Sequence, residues 1–275
     1  MSDAWFSNKL APDGDVEDGC HPDEAEALKQ YLRGETTAEA AARAISQPIA
    51  NASNPREDVS RLWDLLIDAL LELPADKLEP LITLIQALEN LPEPDMAGVE
   101  ERKRPAHGRL WRGLPGFGHL YADIHQSGDW RAAARSADAA ERSRLRAYHV
   151  RKAAVEARLA AAGLAGIPLD WGYETVADAL ENSSSSSGAV LDFEVPAAAQ
   201  WLDVAGARFR EGAARGEASW ALARQRDLWG GGGGEAMTPQ RYAFWRDRLE
   251  ELRTQSEVTL RAAEAALRSM GEEGV

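Results

Sequence analysis

Cysteine is almost absent from this 275-residue chain, in which Cys20 is the only one. A single thiol excludes an intramolecular disulfide and a zinc site built from several cysteines. It also fits a reducing compartment. The first thirty residues contain neither the basic segment nor the apolar stretch of a secretory signal. We therefore expect an intracellular protein, either cytoplasmic or nuclear.

Long apolar runs and alternating strand patterns are also missing. The most apolar stretch, residues 62–73, is interrupted by Asp64, Asp68 and Glu72, and it is too short to cross a bilayer. We therefore expect no membrane partner. Residues 191–195 are the one strand candidate, and they are too isolated to build a sheet.

Basic residues are scarce in the N-terminal part of the chain. Residues 1–100 contain 21 acidic and 7 basic residues, whereas the remainder of the chain is balanced, and the whole chain has a net charge of −14. An extended acidic surface repels phosphate backbones. The composition therefore disfavours nucleic acid as a general partner.

Helical periodicity dominates the rest of the sequence. Asn54-Pro55 is a typical helix start, and leucines at 62, 65, 66, 70 and 73 follow one helical face. A second leucine-rich helix is predicted over about 80–91, and the short connection indicates a hairpin with the first. The pattern predicts an all-α protein, a single irregular multi-helix bundle of about nine to eleven helices without a sheet.

The remaining segments complete this prediction. Residues 1–20 are interpreted as a mobile acidic tail, although docking of Trp5 and Phe6 is left open, and residues 21–275 as a single helical domain. Loops are expected near 92–108, 181–195 and 230–236, and the second and third of these contain a serine run and a glycine run. Further helices are predicted over about 21–33, 37–46, 129–162, 173–180, 196–229 with a break near 212–216, 238–252 and 257–270.

The stretch from Trp111 to Trp130 concentrates glycine, proline, histidine and aromatic residues between these helices. His119 and Asp123 are four residues apart and share a helical face, which suits a metal site or an acid–base pair. The alternative, which we favour, is a capping or core-bound histidine beside a surface aspartate, because no third ligand has a recognisable spacing. The candidate pocket comprises Trp111, Phe117, His119, Tyr121, Asp123 and Trp130. These aromatic residues equally suit helix packing.

Other chemical motifs are missing. The sequence contains no HExxH, GxSxG or dinucleotide-binding fingerprint, and the glycine run at 230–234 lacks the lysine of a phosphate loop. No catalytic residue, metal ligand or cofactor is therefore assigned. Arg102-Lys103-Arg104 is interpreted as part of a solvated loop rather than a nuclear-import or phosphate-binding patch.

Two segments together resemble a known family. Residues 111–123, WRGLPGFGHLYAD, resemble the W-x-x-L-P-x-F-G-x-x-W/Y-x-D signature of a large fungal family of all-helical proteins described only as a domain of unknown function. Residues 238–252 resemble the C-terminal helix of that family, with its R-W/Y-x-x-W-x-x-R-L pattern. The resemblance covers about residues 54–270. It implies a fungal intracellular protein and supplies no agreed activity or catalytic residues.

The sequence favours a non-enzymatic protein–protein interaction module whose partner and oligomeric state stay open. The alternative is a small-molecule-binding protein or enzyme with the aromatic and histidine pocket of residues 111–130. Direct DNA binding through residues 102–112 is a third, weaker hypothesis. Within the motif, Leu114-Pro115-Gly116 is expected to fix the angle between two helical blocks, and Gly118 to allow a close backbone approach.

Overall fold

The computed structural model describes residues 3–15, 19–105, 108–128, 130–183, 190–230 and 234–271, although not the side chain of Asp13. Within these ranges the chain forms thirteen α-helices and no strand; a single β-bridge joins Ala218 and Ala236. The predicted all-α class is confirmed. The helix number exceeds the predicted nine to eleven because short helices carry little periodicity of their own. None of the helices in the described ranges combines the length and apolarity needed to cross a bilayer.

The chain divides into two compact units, and each is described by itself. Unit 1 contains residues 1–126 with 164–166, and unit 2 contains residues 127–163 with 167–275. The predicted single domain over residues 21–275 stays a prediction. The helices of unit 1 are α1 Asp3–Leu10, α2 Pro22–Leu32, α3 Ala38–Ala50, α4 Pro55–Glu72, α5 Leu78–Glu89 and α6 Phe117–Gln126.

The leucine-rich helices form the core of unit 1, as predicted. Leu62, Leu66 and Leu70 of α4 have no exposed surface, and the leucines on the matching face of α5 are also buried. Trp63 on the flank of α4 is equally buried, so α4 contributes more than one face to the core. The 3₁₀ turn Ala75–Lys77 makes the short connection between α4 and α5.

Residues 3–10 of the N-terminal segment, for which the sequence predicts a mobile tail, form helix α1. Phe6 is buried, and the Lys9 ammonium lies 2.6 Å from a carboxylate oxygen of Asp68 and 2.9 Å from one of Glu72. The Trp5 indole N–H donates to Glu72 at 2.7 Å. The buried Phe6 ring and the ion pairs of Lys9 with α4 thus hold this segment in place, although its composition alone suggests a tail.

Unit 2 contains the other seven helices. They are α7 Trp130–Ser136, α8 Ala139–Ala161, α9 Asp170–Leu180, α10 Leu191–Arg215, α11 Trp220–Ala223, α12 Pro239–Leu252 and α13 Glu257–Gly271. Helix α10 is central, because it packs against α8, α9, α12 and α13. Its aromatic residues Phe193, Trp201 and Phe209 are fully buried.

Several predicted boundaries are wrong. The long helix over 129–162 is two helices, because Asp138 caps α8 by accepting a hydrogen bond from the Glu141 N–H at 2.9 Å. Residues 191–195, predicted as a loop, are the first turns of α10. Helix α3 continues through Pro48, where the sequence predicts its end. The predicted break near 212–216 is confirmed at Gly216, which takes the left-handed conformation with φ 62°.

A buried ion pair joins distant segments of unit 2. Glu181, which follows α9 and has no exposed surface, accepts from Arg241 Nε at 2.6 Å and from Arg241 Nη2 at 2.7 Å. The same carboxylate accepts from the Trp245 indole N–H at 2.7 Å. Arg241 also donates to the backbone carbonyl of Leu222. The Glu181 carboxylate therefore connects the end of α9 with α12. Arg241 also connects α12 with α11 through the Leu222 carbonyl.

We expect Glu181→Gln to lower the free energy of unfolding by about 3–5 kcal/mol, because it leaves the buried Arg241 guanidinium uncompensated. Urea unfolding measures this loss. Glu257→Gln is the matched control, since the Arg261–Glu257 pair is solvent-exposed, and it should change stability by no more than about 0.5 kcal/mol. Equal effects of the two substitutions would contradict the role assigned to Glu181.

Candidate functional site

Two glutamates hold the first turn of the glycine- and proline-rich segment. The Glu93 carboxylate accepts hydrogen bonds from the backbone N–H groups of Leu110 at 2.7 Å, Trp111 at 3.2 Å and Arg112 at 2.8 Å. Glu89 accepts from the next N–H, that of Gly113, at 3.1 Å. Four consecutive amides thus point at carboxylates from the end of α5 and the segment after it. An anion-binding turn exists here, and the chain's own acids already fill it.

The aromatic residues of this segment pack around Trp63. The Trp63 ring makes edge contacts with Trp111 and Phe117 at centroid distances of 6.3 and 5.6 Å, and Phe117 stacks on Tyr121. The Trp63 indole N–H donates to the carbonyl of Pro115 at 2.9 Å. All four rings are buried. Their arrangement is that of a core.

The other three members of the predicted pocket are His119, Asp123 and Trp130. His119 and Asp123 are exposed on α6. Trp130 belongs to unit 2, where it packs on His149 at 4.1 Å and Phe193 at 5.6 Å between ring centroids. Within unit 1, the structure therefore brings together Trp111, Phe117 and Tyr121. Ligand binding by the six residues stays a prediction.

Gly118 makes the close approach that the sequence suggests. A Cβ added there would lie 2.1 Å from the carbonyl oxygen of Ala165, far inside any permitted contact. Four residues earlier, the backbone of Leu114 has a left-handed φ of 46°, which is uncommon for a residue other than glycine. The segment is thus shaped by backbone constraints, which favours an architectural role.

A groove lined by titratable groups lies in another part of unit 1. A half-open groove of about 820 Å³ is bounded by the start of α2, the end of α3 and the start of α4, and we call it the α2–α3–α4 groove. Its lining consists of residues 19–24, Ala44, residues 47–49, Asn51, Ala52, Asp58 and Arg61. The sequence identifies His21-Pro22-Asp23-Glu24 as a helix start, and this interpretation is confirmed. Periodicity contains no signal for the groove, since it forms only when three helix ends meet.

Glu24 is the buried acid of the groove, with 2% of its surface exposed. Its carboxylate accepts a hydrogen bond from the backbone N–H of His21 at 3.2 Å, which completes a capping box at the start of α2. Burial raises the pKa of this carboxyl to about 7, and the His21 N–H only partly offsets the effect. The nearby Asp58 raises the pKa further, whereas Arg61 lowers it. Glu24 therefore changes charge near neutral pH.

Cys20 and His21 also line the α2–α3–α4 groove. Burial and the Glu24 charge raise the pKa of the Cys20 thiol to about 11, so the thiol is protonated and weakly nucleophilic at neutral pH. Nδ1 of His21 accepts from the backbone N–H of Asp23 at 3.2 Å. Both imidazole and carboxyl are therefore occupied in capping α2. Across the described residues, no group of three or more His, Cys, Asp or Glu side chains is placed to hold a metal ion.

A second groove of about 590 Å³ lies between α3, α5 and residues 91–94. Trp111 contributes to its lining together with Leu91, Pro92 and Pro94. Polar side chains from α3 and α5, among them Arg43 and Gln86, border it. Of the predicted pocket residues, Trp111 thus borders this second groove.

A family model described as "Protein of unknown function (DUF3632)" matches residues 63–249. The match spans more than half of the chain and contains residues 111–123 and residues 238–249 of the second motif segment, so the chain belongs to this family. The residues lining the α2–α3–α4 groove all precede the matched region. Neither a curated protein nor a solved structure matches the chain.

Gly118→Ala should destabilise the protein by about 1–3 kcal/mol, because the new methyl group would collide with the Ala165 carbonyl. Chemical denaturation measures the loss. Gly206→Ala is the matched control, since a Cβ at this helical glycine would meet its nearest atom at an ordinary 3.7 Å. That change should be neutral or stabilising by up to about 1 kcal/mol. Similar stability of both variants would remove the proposed constraint.

Glu24→Gln should change the pH dependence of stability. A carboxyl whose pKa rises from 4.5 unfolded to about 7 folded stabilises the protein when protonated. That contribution is complete below pH 4.5 and disappears as the pH rises through 7. Glutamine stays neutral and can keep the capping box. The variant's stability advantage over the wild type should therefore grow by about 2–3 kcal/mol between pH 5 and 8.

Urea unfolding at several pH values tests this trend. Glu26→Gln, which replaces an exposed glutamate of the same helix, serves as the control and should show no comparable trend. A constant stability difference between Glu24→Gln and the wild type across this range would refute the elevated pKa.

Proposed function

We propose that this DUF3632 protein is a non-enzymatic interaction module that binds a segment of a partner protein in the α2–α3–α4 groove. The observation that carries the proposal is the groove itself, a half-open space of about 820 Å³ walled by three helix ends. Its volume lies in the range of about 300–1,000 Å³ typical of ligand sites. A half-open groove admits a segment that enters and leaves, as a peptide does.

The state of the reactive groups supports binding rather than catalysis. The Cys20 thiol is held protonated, with a pKa of about 11, and its nucleophilic form is rare at neutral pH. The imidazole of His21 and the carboxylate of Glu24 each hold a backbone N–H at the start of α2. Groups committed to capping a helix are poorly free to move protons during a reaction.

The proposal includes an intracellular location, cytoplasmic or nuclear, and a fungal source. The single cysteine supports the first, and the WRGLPGFGHLYAD segment supports the second. Protein is preferred to nucleic acid as the partner because residues 1–100, which contain the groove, have 21 acidic and 7 basic residues.

The small-molecule alternative at residues 111–130 has one observation in its favour. Trp111 borders the groove of about 590 Å³. Against it, Phe117 and Tyr121 pack into the core around Trp63, and His119 lies exposed on α6. A ligand seated there would contact few of the six predicted residues, so the α2–α3–α4 groove is the better-supported site.

A peptide selection on the immobilised full chain tests the proposal. A randomised library of short peptides is selected on the wild type, and binding of the enriched peptides is measured by fluorescence anisotropy. Ala44→Trp fills the groove from an exposed position in its lining. Ala140→Trp, at an exposed position of α8, is the matched control.

Peptides that bind the wild type and Ala140→Trp alike, and lose affinity for Ala44→Trp by about tenfold or more, are expected if they occupy the groove. Enrichment of no peptide, or equal binding to all three proteins, would overturn the proposed function.

A further inference from the structure

The α2–α3–α4 groove is lined by more acidic than basic side chains. Asp23, Glu24 and Asp58 contribute three carboxylates, whereas Arg61 is the one lysine or arginine among the described lining residues. His21 uses its Nδ1 atom as an acceptor for a backbone N–H. The lining therefore complements a ligand that is cationic and rich in donors.

Pro48 removes one hydrogen-bond donor from the α3 wall of the groove. It lies inside α3, where an N–H at position 48 would normally donate to the carbonyl of Ala44. Proline has no N–H, so this helical hydrogen bond cannot form. Ala44 and Pro48 both line the groove. The negative end of the α3 dipole lies in the same wall, where it favours a cation.

Glu24 has acceptor capacity beyond its own capping bond. A carboxylate can accept about four hydrogen bonds, and within the described residues the structure gives Glu24 one, from the His21 N–H to Oε2. The acid is 98% buried yet forms part of the groove wall. When it ionises without a cation, its desolvation is poorly compensated. A donor-rich cation in the groove would supply that compensation.

We infer that the α2–α3–α4 groove binds an arginine side chain of the partner segment, with the Glu24 carboxylate and the Ala44 carbonyl as acceptors for its guanidinium group. The inference rests on the proposed function, because it concerns the occupant of the same groove. Arginine suits the site better than lysine, since its planar group presents five donors in a fixed geometry that can reach several acceptors at once.

Binding should depend on pH, because the cation pairs with ionised Glu24. The charged groups facing this carboxyl are Asp58 and Arg61 from α4 and Asp23 from α2, with His21 and Cys20 on the approach to α2; α3 contributes no charged residue to the lining. The pKa of Glu24 is about 7 in the free protein. Affinity should therefore rise about tenfold from pH 6 to pH 8.

The experiment uses the groove-dependent peptides from the selection described above, on the full chain. We expect these peptides to share an arginine. Replacing it by citrulline, which keeps the shape and removes the charge, should weaken binding to the wild type by roughly tenfold to a hundredfold. Glu24→Gln should weaken binding of the arginine peptide by a similar factor and should abolish the rise with pH.

The double change separates a direct contact from an indirect one. If Glu24 and the arginine interact, Glu24→Gln should have little further effect on the citrulline peptide. Asp76→Asn removes an acid of unit 1 outside the groove, and it should leave binding unchanged. Circular dichroism checks that each variant is folded.

The two levels of the proposal fail differently. Groove-dependent peptides that lack a shared arginine, or that bind Glu24→Gln and the wild type equally at all pH values, would overturn the arginine site while the interaction module stands. Failure to obtain any groove-dependent peptide would remove the module and the arginine site together.

Discussion

The second unit depends on one buried carboxylate. Glu181 has no exposed surface, and hydrogen bonds from Arg241 and Trp245 stabilise its charge, with the Arg226 guanidinium 3.9 Å away. Arg241 and Trp245 are one helical turn apart on α12, so both reach the same acceptor from one face. Any slippage of α12 would strand a buried guanidinium and a buried carboxylate. The pair therefore fixes the position of α12 more strictly than apolar packing does, since leucine and tryptophan surfaces allow several arrangements.

In the first unit, two carboxylates hold a distant segment by accepting hydrogen bonds from backbone N–H groups and not by pairing with a cation. Glu93 and Glu89 accept the amide hydrogens of residues 110–113. The backbone there has no helix or strand to satisfy those groups, and the carboxylates replace that missing structure. In both units an acid at or after a helix end therefore holds a segment distant in the sequence. This arrangement gives the two motif segments, around Trp111 and Arg241, an architectural meaning that needs no ligand.

The sequence predicts those parts of the fold that depend on local signals. The leucine face of α4, the proline starts of α2, α4 and α12 and the glycine end of α10 are all of this kind. It does not predict that Asp138 divides a long helical pattern, since aspartate tolerates both a cap and a helix surface. It cannot predict the pairing of Glu181 with Arg241, because sixty residues separate them and either charge suits a solvated face. The groove is hidden for the same reason, because its walls come from three helix ends.

At Glu24, helix capping and burial have opposite effects on the charge of the carboxyl group. An acid in the first turn of a helix stabilises the helix best when it is ionised and solvated, because the helix dipole then attracts its charge. Glu24 instead caps α2 from a buried position where its pKa is about 7. If position 24 served only to cap α2, a solvent-exposed acid or a glutamine there would make the folded protein more stable. Residues that lower the stability of the fold are expected at sites under functional constraint. A cation that enters the groove would form an ion pair with ionised Glu24 and offset the cost of burying its charge. A neutral side chain would not offset this cost, so the groove would select for a basic side chain.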